Sequence, residues 1–421
     1  MYRSLAVAFV VAINVGIRAQ DLAFPIPQPA LALTNANIVN VVDGSVQRNV
    51  TVRLREGRIE SIATTAPPAD ERYVTVDVRG RYVVPGLIDA HVHIDNLRSL
   101  RTALESGVTT VRSSGVAHYA DVGLRELVRQ GAAAGPDVIA AGYHVRPSLA
   151  EEAYFDTPDL ASLLRRGVTS VEAMRRVVQA NLSRGVDWIK VLATERAGTP
   201  DTDPRKQVYT EAELQAIVDE AATKKVPVQA HAHGAEGALA AVKAGVRSIE
   251  HGTYLTDEAL QLMAKRGTFF DPTMEAVKDV AAPGGDYDNR DLQLRGQHML
   301  PRVRETVARA HKLGVKIVAG SDTGYGPSSV ARLSIEVTNL VDSGMPVLAA
   351  LQAATINNAQ MLMRDKQIGR VATGFEADLL VVERNPLEHL NTLQDPLLVI
   401  SNGRVAVDRL NFGRSPTSLQ R

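Results

Sequence analysis

Eight short apolar runs, alternating with helical patterns between residues 83 and 322, constrain this chain more than any other feature. They are VVPGLIDAHVH (83–93), GVTTVRS (107–113), VIAAGYHV (138–145), DWIKVLAT (187–194), PVQAHAH (227–233), SIEHG (248–252), TFFDPTM (268–274) and KIVAGSD (316–322). The clearest helices between them are YTEAELQAIVDEAAT (210–224) and VEAMRRVVQANLSR (171–184). In the first, Thr210 followed three residues later by Glu213 fits a capping box. In the second, apolar residues recur at helical spacing and Gly185 stops the pattern. Eight strand–helix units imply an α/β chain folded as a (β/α)8 TIM barrel over residues 85–368. An open doubly wound sheet would usually carry a Gly-rich phosphate turn after its first strand, whereas here that strand ends in His-Val-His.

The ends of the chain read differently. LALTNANIVNVVDG, TVRLREGRIESIA and RYVVPG alternate apolar and polar residues between Gly, Asn and Asp turns, and the texture returns in ADLLVVERN and LLVISNGRVAVD. Residues 31–84 and 369–415 therefore read as two halves of one small β-domain that the chain leaves and rejoins. Two connections are long for a barrel: about 146–170 after the third strand, and 275–294, with PGGDYDN, after the seventh. Both would emerge at the carboxyl face, where long loops line a site or are plain surface insertions.

Composition narrows the chemistry. Lys+Arg and Asp+Glu are both 47, without a basic run, so nothing points to nucleic acid or an anionic surface as partner. The absence of cysteine removes disulfides, thiol nucleophiles, cysteine-based zinc sites and a lipoprotein attachment point. At the N-terminus Arg3 precedes a mostly apolar stretch from Leu5 to Ile17, the length of a signal-peptide core and too short for a membrane span. The expectation is a signal peptide over residues 1–20 and a periplasmic or secreted protein with no stable membrane insertion after cleavage. An uncleaved anchor or a buried helix competes with it, because a cut after Ala19 puts Ile17 where a small residue is preferred.

His91 and His93 stand two apart at the end of the first strand, so they face the same way, and in a barrel that direction can be inward at the catalytic end. Two such imidazoles make half of a divalent-metal site. Of only ten histidines, His231 and His233 repeat the spacing on the fifth strand, His251 closes the sixth and His144 the third, while Asp322 closes the eighth. Singly, each reads as a structural residue; clustered at strand ends, these types are wasteful for a core. Lys190 lies in an otherwise apolar strand, where a buried ammonium without a partner is costly. A salt bridge would explain it; so would carboxylation by carbon dioxide, which makes the lysine an anionic ligand able to bridge two metals.

PGLIDAHVH, GVTTVR, GVDWIKV, AHAHG, GVRSIEHG, AGSD and GFEADLLVV, in this order, resemble the amidohydrolase superfamily from about residue 31 to 410. The branch they resemble contains imidazolonepropionase-like enzymes, metal-dependent Xaa-Pro dipeptidases and carboxypeptidases, and ochratoxin-hydrolysing enzymes. The resemblance implies two divalent metals, zinc first, with manganese, cobalt or iron as alternatives. His91, His93 and Asp322 would hold one metal, His231 and His251 the second, and carboxylated Lys190 would bridge them. A hydroxide shared by the metals would attack the carbonyl, with Asp322 as general base and acid or as a ligand only. His233 falls outside that ligand set and is left to substrate or to support of a ligand. His144 would polarise the carbonyl, hold a substrate carboxylate or pack. Arg112 would pair with a substrate carboxylate or form a structural salt bridge, and Tyr325 is placed to touch substrate. The implied substrate is a small amide or peptide, with release of a C-terminal amino acid. A cyclic-amide hydrolase or deaminase is the second reading and a non-catalytic binding protein the third; a homo-oligomer is compatible with all three.

Overall fold

A computed structural model of the chain describes residues 30–64, 70–284, 287–327 and 329–410. The expected signal peptide, residues 1–20, lies outside the described residues.

Both ends of the described chain meet in one eight-stranded sheet. Its order is Arg404–Asp408, Leu398–Ser401, Leu379–Val382, Tyr82–Pro85, Ala30–Val39, Val46–Arg55 and Arg58–Ala63, with Tyr73–Asp77 paired to Ala30–Val39 off this path. The seam between the two ends is antiparallel and sets Val84 opposite Leu380. Leu33, Ala36, Val50, Val52, Leu379, Val381 and Ile400 form a separate core there, as alternation along strands requires.

Seven short parallel strands carry the middle of the chain. Leu87–Val92, Val108–Ser113 and Asp137–Ile139 form one sheet; Ile189–Leu192, Val228–Ala232, Ser248–His251 and Phe269–Asp271 form another. Single bridges and backbone bonds join the two sheets at both edges. On one side Val145 bridges Val191, and on the other Ile317 bridges Phe270 while Thr323 bridges Val92. Asp322 N–H donates to His91 O at 2.8 Å across the second seam. Eight parallel segments therefore follow one another in cyclic order, and the fold is mixed α/β.

Three expected strands differ from the observed ones for local reasons. The run 83–93 is two strands: Tyr82–Pro85 belongs to the terminal sheet and Leu87–Val92 to the parallel one. They part at Gly86, where a Cβ would stand 2.2 Å from Thr109 Oγ1. The run 138–145 stops at Ile139, because the next N–H groups turn to side chains: Ala140 to Asp187 Oδ2 at 2.8 Å, and Ala141 and Gly142 to Asp121 Oδ2 at 2.8 and 2.9 Å. The run 316–322 makes bridges but no regular strand; at Gly320 a Cβ would meet Asp271 Oδ2 at 2.4 Å and His91 Cβ at 2.6 Å.

The two expected helices run Glu211–Ala222, with both halves of the Thr210–Glu213 capping box in place, and Val171–Ser183, capped by Ser170. The connection after the seventh strand is not a plain loop. It holds the helix Met274–Ala281 and leads into Arg290–Lys312, whose residues help wall the site. The connection after the third strand holds a short helix, Glu151–Asp156. Among the described residues no helix is long and apolar enough to cross a membrane.

Candidate metal centre

His91, His93, Lys190, His231, His251 and Asp322 all line one cleft, together with His144 and His233. The cleft encloses about 580 Å³ of empty space including its open mouth. Within it His91, His93 and Asp322 form one group whose ligand atoms lie within 4.8 Å of one another, and His231, His233 and His251 form a second. His91 Nε2 and His93 Nε2 approach Asp322 Oδ1 at 3.3 and 3.2 Å. The backbone bends to make this possible: His251 and Asp322 adopt left-handed φ of 74° and 51°, uncommon for residues with a side chain.

Each imidazole has one ring nitrogen committed outside the cleft. His91 Nδ1 donates to Glu250 Oε2 at 2.8 Å and His93 Nδ1 to Gly115 O at 2.7 Å. His144 Nε2 donates to Ser114 O at 2.6 Å, and His231 Nε2 to Glu195 O at 3.2 Å. His233 Nδ1 meets Thr253 Oγ1 at 2.9 Å and His251 Nδ1 meets Thr273 Oγ1 at 2.7 Å. Such partners orient the ring and select the tautomer, which leaves the other nitrogen with a lone pair.

Electrostatics keeps those lone pairs available. Burial lowers His91 to about 4, aided by the charge of Lys190. Burial also holds His144, His231 and His251 well below the usual imidazole range. Burial would raise Asp322, but His91 and His93 outweigh it and keep the carboxyl below its ordinary value. Neutral imidazoles beside an ionised carboxylate are the protonation states a divalent cation needs. Lys190 completes the fit: its Nζ is buried and has no hydrogen-bond partner among the described residues. A bare ammonium is costly there, whereas an anionic carboxylated lysine among cations is not. These residues therefore suit a divalent metal.

The amidohydrolase family pattern matches residues 82–406. The chain belongs to the amidohydrolase family. It is an enzyme, a hydrolase acting on carbon–nitrogen bonds. The chain is 27% identical over 396 residues to the ochratoxinase of Aspergillus niger, covering 85% of this chain and 82% of that protein. It is 27% identical to the imidazolonepropionase of Vibrio vulnificus over 395 residues, covering 83% and 91%. Among solved structures it resembles a Xaa-Pro dipeptidase with methionine bound in its active site, at TM-score 0.80 and 27% identity, covering 89% of this chain and 99% of that one.

Two expected substrate contacts do not reach the cleft of this amidohydrolase. Arg112 is wholly buried beneath it, and its Nη2 donates to Glu250 Oε2 at 2.7 Å, Nη1 to Ser248 Oγ at 2.9 Å and Nε to Ala90 O at 2.6 Å. It is the structural salt bridge. Tyr325 is also wholly buried; its left-handed φ of 50° turns the ring inward, and its hydroxyl donates to Asp89 Oδ2 at 2.7 Å. Asp89 also accepts Ser321 N–H at 2.9 Å, which ties the strand of His91 to the turn of Asp322.

Several residues escaped sequence reasoning. Glu250, the residue before His251 in SIEHG, orients His91, and a carboxylate inside an apolar strand was its available signal. Asp271 in TFFDPT lies 4.0 Å from His91 Nδ1. The apolar wall of the cleft comes from Leu192, Ala197, Ala276, Val277, Val280 and Met299, on segments far apart in sequence.

Proposed function

We propose that the chain is a binuclear metal-dependent amidohydrolase that cleaves an amide or peptide bond and releases a C-terminal amino acid from a dipeptide or N-acyl amino acid, ochratoxin-type amides included. The observation that carries this reading is Lys190: a buried amine with no hydrogen-bond partner among the described residues, lining the same cleft as two groups of candidate metal ligands. Burial lowers its pKa to about 8, against the pull of Glu250 and Asp322. The neutral amine so favoured adds carbon dioxide, forming the N–C bond of a carbamate and releasing a proton. The proposed assignment gives His91, His93 and Asp322 to one cation and His231 and His251 to the other. Ring geometry supports leaving His233 out: it stacks on His251 at 14° with centroids 4.6 Å apart, so the two ring planes do not meet at one ion. His231 and His251 stand at 67° and can converge. The cyclic order of eight parallel segments is read as a (β/α)8 barrel with its site at the carboxyl face.

Two divalent cations, zinc first among the candidates, would polarise the scissile carbonyl and make a water acidic enough to react near neutral pH. Asp322, held ionised, takes the proton of that water and passes it to the leaving nitrogen. His144 and His233 contact substrate with their uncommitted ring nitrogens. The apolar wall takes an apolar side chain or acyl group. A cyclic-amide hydrolase or deaminase is the second reading, favoured by the likeness to imidazolonepropionase. Export to the periplasm or medium rests on the apolar stretch from Leu5 to Ile17 and is tested by cell fractionation.

The test is hydrolysis of N-acyl amino acids and dipeptides, beside cyclic ureides and aminated heterocycles, by protein reconstituted with metal in bicarbonate buffer. We expect turnover of the first set, about two metals per chain, and loss of metal and turnover in Lys190→Ala. Turnover confined to the cyclic set overturns the substrate reading. A metal-free protein, or a Lys190→Ala variant as active as the parent, overturns the site.

A further inference from the structure

We propose that Arg196, backed by Arg146, is the seat for a carboxylate borne by the substrate, so that the enzyme selects amides whose leaving amino acid keeps an ionised carboxyl group. This rests on the amide-hydrolase reading above and names the substrate class within it.

Arg196 follows the strand Ile189–Leu192 by four residues and lines the metal-ligand cleft. It also lines an adjoining cavity shared with His93, Tyr287 and Asp322. It shares the lining of the cleft with His144, His231 and His233, and its charge helps to lower all three. Arg146 sits next to Val145, whose bridge to Val191 brings it alongside the same strand. Burial and the like charge of Arg196 both push the Arg146 guanidinium down, against a partial offset from Glu152.

The acids beside Arg196 are already engaged. Glu195 accepts Lys206 Nζ at 2.6 Å and Asp203 N–H at 2.9 Å. Asp203 pairs with Arg205 at 2.9 Å. Asp322 is held by His91 and His93, and Asp279, on the adjoining cavity, has contacts of its own. Among the described residues no carboxylate forms an ion pair with Arg196 or Arg146. The loop that carries Arg196 is nevertheless pinned: Arg295 donates to Ala197 O at 2.6 Å, Thr199 O at 2.9 Å and Thr202 O at 2.6 Å. A third arginine thus fixes the backbone while Arg196 lines the cleft with no ion pair among the described residues.

The two guanidiniums repel each other, Glu152 offsets only part of that repulsion, and an anion between them relieves it. The planar fork of arginine fits a carboxylate with two hydrogen bonds. Leu192, Val277, Val280 and Met299 give the cleft an apolar wall beside Tyr287. The occupant this favours has an apolar body and a single anionic end.

The experiment compares N-benzoyl-L-phenylalanine with its decarboxylated counterpart, N-benzoylphenethylamine, on metal-loaded enzyme. The readout is the ratio of their kcat/KM values. The parent should favour the acid by about 10- to 100-fold, the size of a charge-assisted contact. In Arg196→Met that preference should collapse to within about threefold, with the acid's KM carrying the change; Arg196→Lys should fall between, and Arg146→Met should lose less. A parallel arm measures thermal stabilisation by N-benzyl-L-phenylalanine, which has no scissile carbonyl; Arg196→Met should lose it. If neither substrate turns over, the proposed hydrolysis fails while the binding arm still decides the seat. An unchanged ratio in Arg196→Met and Arg196→Lys, or undiminished stabilisation by the ligand, overturns the proposal.

Discussion

Two clusters of charge, one buried and one half-buried, lie at opposite ends of the parallel strands, and only one has the marks of a reaction site. Toward the carboxyl ends, Lys190, His91 and Asp322 line the cleft and Arg112, Glu250 and Asp271 lie buried behind them. At the amino end of the third strand, Arg364 bonds Asp137 at 3.2 Å and Glu376 at 2.9 Å, while Asn402 donates to Asp137 at 2.9 Å and to Asp378 at 2.7 Å. Both clusters contain buried carboxyls pushed upward: Asp271 well above its usual value, by burial and the charge of Glu250, and Asp378 to about 8, by burial and the charge of Asp137. A displaced pKa therefore does not separate them. What separates them is the cleft, with imidazole lone pairs and a lysine amine that the protein itself leaves unused. The second cluster closes on itself and joins the terminal sheet to the strands.

The sharpest way to break this distinction is to remove one charge from each cluster. His91→Ala should lower kcat/KM by about a thousandfold or more, since a cation's several kcal/mol of charge stabilisation goes with it. Its melting temperature, measured metal-free beside the metal-free parent, should change little. Arg364→Met should do the reverse. It takes the ion-pair partner from Asp137, which keeps only the Asn402 hydrogen bond, and leaves Glu376 with Arg58 alone at 4.0 Å, at a cost of about 1–3 kcal/mol of stability for such half-buried pairs, with metal content per folded molecule unchanged. Denaturant melts with metal analysis on both variants check this; if Arg364→Met loses metal at full stability, the two clusters are one system.

A smaller effect sharpens the comparison within the first cluster. Glu250 holds both His91 Nδ1 and Arg112, so it belongs to the fold and to the site at once. Glu250→Gln should weaken metal binding by about 10- to 100-fold through loss of the anionic partner that orients His91. Competition against a chelator reads this directly. Affinity equal to the parent's would show that His91 is held by its strand alone.

The sequence carried the placement of the six candidate ligands because strand period and strand ends are local properties. The same holds for the Thr210–Glu213 helix start. What depended on distant contacts was not legible. The split at Gly86 is set by Thr109, and the irregular eighth run by the passage of Gly320 against Asp271. Tyr325, three residues after Asp322, reads as a cleft residue until its φ turns it toward Asp89. Arg196 is one loop arginine among many until Glu195 and Asp203 are seen to be engaged elsewhere.

The smallest expected effect lies in the second cluster and is one of pH. Asp378 Oδ1 accepts Asn402 N–H, while Oδ2 is buried with no hydrogen-bond partner among the described residues. With a folded pKa of about 8 against an ordinary 3.8, Asp378 binds a proton in the folded chain that the unfolded chain releases over most of that interval. Its contribution to stability is therefore present in full below the unfolded value and is lost as pH rises toward 8. Asp378→Asn keeps the acceptor for Asn402, puts a donor where the bare oxygen stood in the field of Asp137, and cannot ionise. Near pH 4 the variant and parent should melt together. By pH 8 the variant should be the more stable by about 1–3 kcal/mol, a fraction of the full linkage because relaxation and water entry soften such shifts. Hydrolysis at the far end of the strands should not respond. Melting curves across this range decide it: a parent–variant gap that does not widen with pH would mean that Asp378 is ionised in the fold, with Arg364 rather than a proton balancing its charge.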